Sequence, residues 1–250
     1  MTGRRYLFDF LLPALPAFAL VLSGIGCARK SVTAAGPASA FGSAIVESSG
    51  GKQIGAAGSA LPQPIVVQVN DDQNNAVTGA AVSFKGPAGV VFDPPNGITD
   101  SSGQFSAVVT LGGMAGRYQI VATTITKAQK PVTLKIEEIA LDYQRRLGQI
   151  LDDKYCSRCH NPESTPERVS NYDNLDVKPH PFTEGETLNK LSDADLTAII
   201  SHGGPALNKS PLMPPYGYTL SKTEIQGLIA YIRMVSDPPY QAPGMVYAQK

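Results

Sequence analysis

The sequence predicts two domains of different fold class, an all-β sandwich followed by an all-α domain. From Ile45 to Ile136, apolar residues alternate with polar ones in short runs separated by turns rich in Gly, Pro, Asn and Asp, as expected for strands with one buried face. Beyond residue 138 the apolar spacing becomes three to four residues, which is typical of amphipathic helices. The length of 250 residues suits two domains of ordinary size.

Five segments follow from this pattern. They are residues 1–26, a signal peptide; 27–44, a flexible tether rich in Ser, Ala, Gly and Thr; 45–138, the β-sandwich; 139–240, the helical domain; and 241–250, a C-terminal tail. The chain carries 21 Lys and Arg against 21 Asp and Glu, so its net charge is zero. With no basic stripe and no Gly-rich phosphate loop, nucleic acid is not an expected partner.

The N-terminus has the features of an export signal. Arg4 and Arg5 precede an apolar run that is too short to span a membrane and is interrupted by Pro13 and Pro16. The run ends in Leu-Ser-Gly-Ile-Gly-Cys over residues 22–27. These six residues resemble the lipobox of bacterial lipoproteins, although a Gly stands where that motif usually has Leu.

The lipobox resemblance implies that Cys27 is lipidated and anchors the protein to a membrane. Acylation would also explain a thiol that has no partner if the other two cysteines are used elsewhere. The alternative is cleavage after Ala34, which would discard Cys27 and release a soluble periplasmic or secreted protein.

The β-domain is predicted to contain about seven short strands. Their inward faces are predicted to be Val67 and Val69; Val82 and Phe84; Phe105, Ala107, Val109 and Leu111; Tyr118, Ile120 and Ala122; and Val132, Leu134 and Ile136. The acidic segment 70–75 is favoured as a hairpin turn over a Ca²⁺ site, because Asn and Asp suit turns for backbone reasons. Residues 61–71, 77–84 and 99–105 resemble the bacterial Ig-like domains of the invasin/intimin group. Over residues 43–138, this resemblance implies an Ig-like sandwich that serves as a spacer or docking domain.

The helical domain is predicted to begin with a helix from about Ile139 to Tyr155. Tyr143, Leu147, Ile150 and Leu151 fall on one face of that helix. The change to helical spacing is predicted to begin at Glu137 and Glu138.

Two further helices are predicted from their N-terminal caps. Ser192 is followed by Asp195, and Ser221 is followed by Glu224, so each pair has the spacing of a capping box.

The motif that decides the chemistry is Cys-Ser-Arg-Cys-His at residues 156–160. Two cysteines separated by two residues and followed by His form the attachment signal for a c-type haem, because both thiols can reach neighbouring vinyl groups from one helical turn. A redox Cys-x-x-Cys and a zinc site are the alternatives. Zinc is disfavoured because no second Cys/His pair follows at a usable spacing.

Residues 139–237 resemble class I cytochromes c. The resemblance is carried by the motif at 156–160, by Ser-Pro-Leu-Met-Pro-Pro-Tyr-Gly at 210–217 and by Leu-Ile-Ala-Tyr-Ile-Arg at 228–233. It implies one covalent haem c, attached through thioethers at Cys156 and Cys159, with His160 and Met213 as the axial ligands of the iron. His180 and His202 are weaker candidates for the second axial position.

The same resemblance implies how the helices pack. Gly148, eight residues before the first haem cysteine, would let the first helix cross the last one, with Tyr231 packed at the crossing. The departure is Asp152, where the family usually has an aromatic residue. Leu151 or Tyr155 would have to replace the missing packing.

An iron ligated on both sides has no open position for a substrate, so the sequence predicts electron transfer rather than enzymatic activity. The expected protein is a monohaem electron carrier in the bacterial cell envelope, a periplasm-facing or outer-surface lipoprotein that exchanges electrons with periplasmic or membrane redox proteins. One alternative is a haem enzyme or sensor in which Met213 dissociates. Another is an envelope scaffolding or adhesion protein with an accessory haem domain.

Overall fold

The computed structural model describes residues 40–166 and 168–243. The predicted signal peptide, Cys27 and most of the tether lie outside the described residues. Within the described ranges, no helix is both long and apolar enough to cross a membrane.

The N-terminal domain is a sandwich of two β-sheets. Its strands are β1 (Ala44–Ser49), β2 (Ile54–Ala56), β3 (Ile65–Asn70), β4 (Ala81–Lys85), β5 (Val91–Asp93), β6 (Asn96–Ile98), β7 (Gln104–Thr110), β8 (Gly116–Ile125) and β9 (Pro131–Leu141). One sheet has the order β1-β3-β7-β5 and the other β2-β9-β8-β4-β6. The pairings are antiparallel except for β2 and β9, which run parallel.

The predicted inward faces fill the space between the sheets. Val67, Val109 and Ile120 are fully buried there, together with most of the other predicted positions. Phe84 stacks between the rings of Phe92 and Phe105, with ring centroids 5.7 and 5.9 Å away. The alternation in sequence is therefore confirmed as the pattern of a two-sheet core.

The acidic segment 70–75 is a turn held by its own backbone. Asp71 Oδ1 accepts hydrogen bonds from the backbone N–H groups of Gln73 and Asn75, at 2.9 and 2.8 Å. These bonds also lower the pKa of the Asp71 carboxyl. The carboxylate thus has the backbone role that the turn prediction gave it.

The C-terminal domain is helical. It contains α1 (Tyr143–Leu151), a π-helical turn (Asp152–Cys156), α2 (Ser157–His160), α3 (Gly185–Leu188), α4 (Asp193–His202) and α5 (Lys222–Val235). Both predicted capping boxes are present, Ser192 with Asp195 before α4 and Ser221 with Glu224 before α5. A group of ten buried residues forms what we call the helical core: Leu151, Cys156, Leu188, Leu196, Ile200, Leu220, Ile225, Leu228, Ile229 and Ile232.

The boundary between the domains differs from the prediction at residues 138 and 139. β9 continues to Leu141, and Asp142 caps α1, so the first helix begins at Tyr143 instead of about Ile139. Glu138 lies inside the sandwich and starts no helix. The predicted helix start was wrong because this end of β9 is covered on both faces, which removes the alternation that marks a strand.

The two faces of β9 serve two different cores. Ile136 and Ala140 face the sandwich core, whereas Ile139 and Leu141 pack against Tyr231 and Val235 of α5. We call this second group of four residues the junction core.

Helix α1 packs closely on α5 through glycine. A Cβ atom on Gly148 would lie 2.1 Å from the carbonyl oxygen of Gly227 and 2.7 Å from Cβ of Tyr231, as the resemblance implied. The predicted buried face of α1 is only partly right. Leu151 is buried, but Tyr143 is 88% exposed and Ile150 is 50% exposed.

Glu138 makes the stability of the protein depend on pH. It is fully buried, Oε2 accepts from the backbone N–H of Gln53 at 2.7 Å, and Oε1 has no hydrogen-bond partner within residues 40–166 and 168–243. Burial raises the pKa of its carboxyl from 4.5 to about 7. The folded state therefore holds this proton more tightly than the unfolded state, and the free energy of unfolding falls as pH rises between those two values, by about 3 kcal/mol in all.

We expect Glu138→Gln to remove most of this pH dependence and to raise the stability above neutral pH. The measurement is urea unfolding at acidic and alkaline pH, with exposed Glu186→Gln as the control that keeps the wild-type slope. A wild-type stability that increases over this pH range would contradict the assignment.

Candidate haem-binding site

The Cys-x-x-Cys-His motif is presented by one continuous helical segment. Cys156 ends the π-helical turn, and Cys159 and His160 lie in α2. Cys156 is buried, Cys159 is partly exposed, and both thiols are free. Their spacing of three residues places them on the same side of one turn, which is the arrangement that two thioether bonds to one porphyrin require.

The environment of Cys156 does not suit the attacking thiol of a redox dithiol. Burial, reinforced by the neighbouring Asp152 carboxyl, raises the pKa of the Cys156 thiol to about 12. A catalytic Cys-x-x-Cys needs the opposite, a thiol whose pKa is lowered so that it ionises near neutral pH. In the part of the chain that the structure describes, no three His, Cys, Asp or Glu side chains cluster as a metal site.

The hydrogen bonding of His160 suits the binding of a metal through Nε2. Its Nδ1 lies 2.8 Å from the carbonyl oxygen of His180. Because a carbonyl only accepts hydrogen bonds, Nδ1 carries the proton and Nε2 is left with a free lone pair. Burial also lowers the pKa of the His160 ring, which favours the neutral imidazole that a metal requires.

Met213 lies in a loop that is fastened to the end of α4. Its carbonyl oxygen accepts from the backbone N–H of Gly204 at 3.1 Å. The loop continues with bonds from Tyr216 N–H to the Ile200 carbonyl and from Gly217 N–H to the Ser201 carbonyl, both 2.9 Å long. Gly203 has a φ of +82° and passes so close that a Cβ there would lie 2.7 Å from the Met213 carbonyl oxygen.

These groups meet at the helical core. Cys156 belongs to it, and Met213 and Phe182 are partly buried against it. The Phe182 ring in turn contacts the His160 ring, with centroids 4.9 Å apart. The structure therefore brings Cys156, the predicted distal ligand Met213 and a neighbour of the predicted proximal ligand to one apolar region. The residues present fit a c-type haem.

Tyr216 packs against the helical core, to which Cys156 belongs. Burial raises the pKa of its hydroxyl, and Cys156 and Cys159 add to that rise. The hydroxyl donates to the Tyr155 carbonyl at 3.0 Å, and the two tyrosine rings are 5.8 Å apart. Tyr218, two residues further along the chain, is fully exposed.

The weaker histidine candidates lie on the surface. His202 is exposed in the last turn of α4. The His180 side chain is exposed and bonds through Nδ1 to the Glu184 carboxylate at 2.5 Å. The backbone of His180 nevertheless contributes to the site through its carbonyl, a role that residue type could not reveal.

Asp152 is the residue at which the sequence departs from the class I cytochrome c pattern. The helix widens there into the π-helical turn, and one carboxylate oxygen is buried with no hydrogen-bond partner among the residues that the structure describes. Burial raises the pKa of this carboxyl to about 7, and the Tyr231 hydroxyl lies beside it. Of the two residues predicted to replace the aromatic, Leu151 is buried in the helical core and Tyr155 is partly buried against it.

Comparison with protein families gives one match in this domain. Residues 144–232 match the family model described as cytochrome c oxidase, cbb3-type, subunit III. This part of the chain is therefore a cytochrome c domain, and such a domain implies covalently bound haem c. No curated protein matched the chain.

Comparison with solved structures gives matches of about two fifths of this chain. They include the D00-D0 domain of intimin, at 17% identity and a TM-score of 0.31, covering 40% of this chain and 46% of that chain. Invasin, a bacterial integrin-binding protein, matches at 14% identity and a TM-score of 0.30, over 38% and 19%. The Escherichia coli adhesin FdeC matches at 16% and 0.30, over 41% and 32%. This chain thus spans less than half of each of these.

Proposed function

We propose that this chain, whose residues 144–232 are a cytochrome c domain, is a one-electron carrier with a single haem ligated by His160 and Met213. The observation that carries the proposal is the hydrogen bonding of the His160 ring. Its Nδ1 is engaged by the His180 carbonyl, so that Nε2 is free for iron. Met213, fastened to the end of α4, supplies the second ligand.

The side chains around the haem have separate tasks. Cys156 and Cys159 hold the porphyrin covalently, while the helical core excludes water from it. Bound haem iron supplies the exchange of one electron between its ferric and ferrous states. The Met213 thioether is a soft ligand that favours the ferrous state, so it raises the midpoint potential.

The rival function is a haem enzyme or sensor in which Met213 leaves the iron. The two functions differ in the resting protein. A carrier has a low-spin spectrum with the weak far-red band of methionine ligation, titrates reversibly with one electron, and binds no CO. Peroxidase activity or tight CO binding in the native protein would instead favour the enzyme or sensor.

We also propose that the protein is a lipoprotein of the bacterial cell envelope, anchored through Cys27 and facing the periplasm or the outer surface. Its partners would be redox proteins of the periplasm or membrane. This is supported by the basic head, the short apolar run and the lipobox-like residues 22–27. Acyl chains bind membranes with about 0.8 kcal/mol for each buried CH₂, so several chains anchor stably.

Cys27→Ala is expected to move the protein from the membrane fraction to the soluble fraction. The measurement is fractionation after a high-salt wash, with Ser39→Ala, in the predicted tether and outside the lipobox-like residues, as the control that stays membrane-bound. A Cys27→Ala protein that remains with membranes after the wash would show that lipid on this residue is not the anchor.

A further inference from the structure

The sandwich and the helical domain share one packed core. Ile139 and Leu141 of β9 meet Tyr231 and Val235 of α5, and all four side chains are buried. Asp142 alone separates the last residue of β9 from the first residue of α1. Domains normally move relative to each other unless their interface is apolar and extensive. Here an apolar core and a single-residue connection oppose such motion.

Arg117 of β8 reinforces the junction. Its guanidinium donates to the carbonyl oxygens of Met234, at 3.2 Å, and Ser236, at 2.5 Å, and it also pairs with Glu137. The last carbonyls of a helix lack donors within that helix, and a cation there is favourable. The sandwich therefore caps the C-terminus of α5.

Residues 183–189, which follow Phe182, are hydrogen-bonded to the chain that leaves α5. Asp237 N–H donates to the Thr183 carbonyl at 2.8 Å, and Gly185 N–H donates to the Asp237 carbonyl at 2.9 Å. Asn189 Nδ2 donates to the Pro238 carbonyl at 2.8 Å. Three hydrogen bonds thus fix this segment to the chain that leaves α5.

Phe182 is where these connections reach the haem site. It packs against the junction core and against the helical core, and its ring contacts the His160 ring, with an angle of 39° between the two planes. We propose that Phe182 is a positioning residue through which the β-sandwich sets the orientation of the His160 imidazole. The sandwich is then a structural part of the proximal side of the haem site, and its role goes beyond that of a spacer.

The physical basis is the rotation of the imidazole ring. The bond from Nδ1 to the His180 carbonyl fixes one edge of the ring, and contact with the Phe182 ring restricts rotation of the imidazole. If the junction core loosens, Phe182 gains freedom and so does His160. Imidazole orientation and hydrogen bonding tune the electronic state of a ligated metal. The inference rests on the proposed role of His160 as proximal ligand.

The test compares four variants of the full-length, haem-loaded protein. Phe182→Leu removes the ring, Phe182→Tyr keeps it, and Ile139→Ala weakens the junction from the sandwich side. Ile65→Ala is the matched control, because it removes the same atoms from a buried site in the sandwich core, on β3 of the other sheet. The readouts are the paramagnetically shifted haem-methyl resonances of the ferric protein and the midpoint potential.

We expect Phe182→Leu and Ile139→Ala to reorder the haem-methyl resonances and shift the potential, while Phe182→Tyr keeps the wild-type pattern. Ile65→Ala should lower the melting temperature and leave both readouts in place. An unchanged pattern in Ile139→Ala, or an equal change in Ile65→Ala, would overturn the inference. If Ile139→Ala does not fold, Arg117→Met tests the same junction by the same criteria. Failure of the proposed function would be seen separately, as a wild-type spectrum without His/Met ligation.

Discussion

Met213→Ala is expected to open the iron on its distal side. Without the thioether, the ferric protein should lose its far-red band, become high-spin and bind CO in the ferrous state. The midpoint potential should fall by on the order of 0.1 V, a modest part of the range of about 0.8 V that axial ligands span. Absorption spectroscopy and a redox titration measure all of these changes.

Two other methionines serve as controls for this prediction. Met114 is 78% exposed in the sandwich, and Met234 borders the junction core. Met114→Ala and Met234→Leu should keep the wild-type spectrum. If Met213→Ala also keeps it, another residue is the distal ligand, and the electron-carrier proposal loses its second axial group.

Gly148→Ala is expected to destabilise the helical domain by about 3 kcal/mol, the upper part of the usual range for overpacking. The added methyl group would lie 2.1 Å from the Gly227 carbonyl oxygen. That oxygen belongs to the backbone of α5 and cannot move as a side chain does, so α1 and α5 must separate. Urea unfolding monitored by far-ultraviolet circular dichroism measures the loss.

Gly113→Ala is the matched control. A Cβ on Gly113 meets no atom within 4 Å, so we expect a change below about 1 kcal/mol. A Gly148→Ala protein as stable as Gly113→Ala would mean that the two helices do not cross at this glycine.

Periodicity in the sequence was a good guide wherever a single face was buried. The strands around Val67, Val109 and Ile120 have one side toward the core and one toward solvent, so their alternation revealed both the strand and its inward face. The caps at Ser192 and Ser221 were equally visible, since a capping box depends on residues only three positions apart.

Periodicity failed where burial did not follow it. Glycine carries no apolar signal, so periodicity alone places Tyr143 and Ile150 on the buried face of α1, where both are exposed. The packed position of Gly148 is implied only by the resemblance to class I cytochromes c. The end of β9 was taken for the start of a helix because Glu138 and Ile139, neighbours on opposite faces, are both buried.

The same distinction applies to the site: residues in a short motif can be predicted from the sequence, whereas long-range contacts cannot. Cys156, Cys159 and His160 are predicted as haem-binding residues because their chemistry depends on a short, fixed spacing. The contacts of Phe182 and Arg117 join residues far apart in sequence, and the His180 contribution uses a carbonyl that every residue has. Only the folded chain reveals such contacts.

The mass of the purified, fully denatured protein tests directly whether one haem is bound covalently. We predict that denatured wild-type protein carries the added mass of one haem and stains for covalent haem on a denaturing gel, whereas Cys156→Ser/Cys159→Ser protein does neither. A denatured wild-type chain with neither the added mass nor the stain would show that no haem is covalently bound.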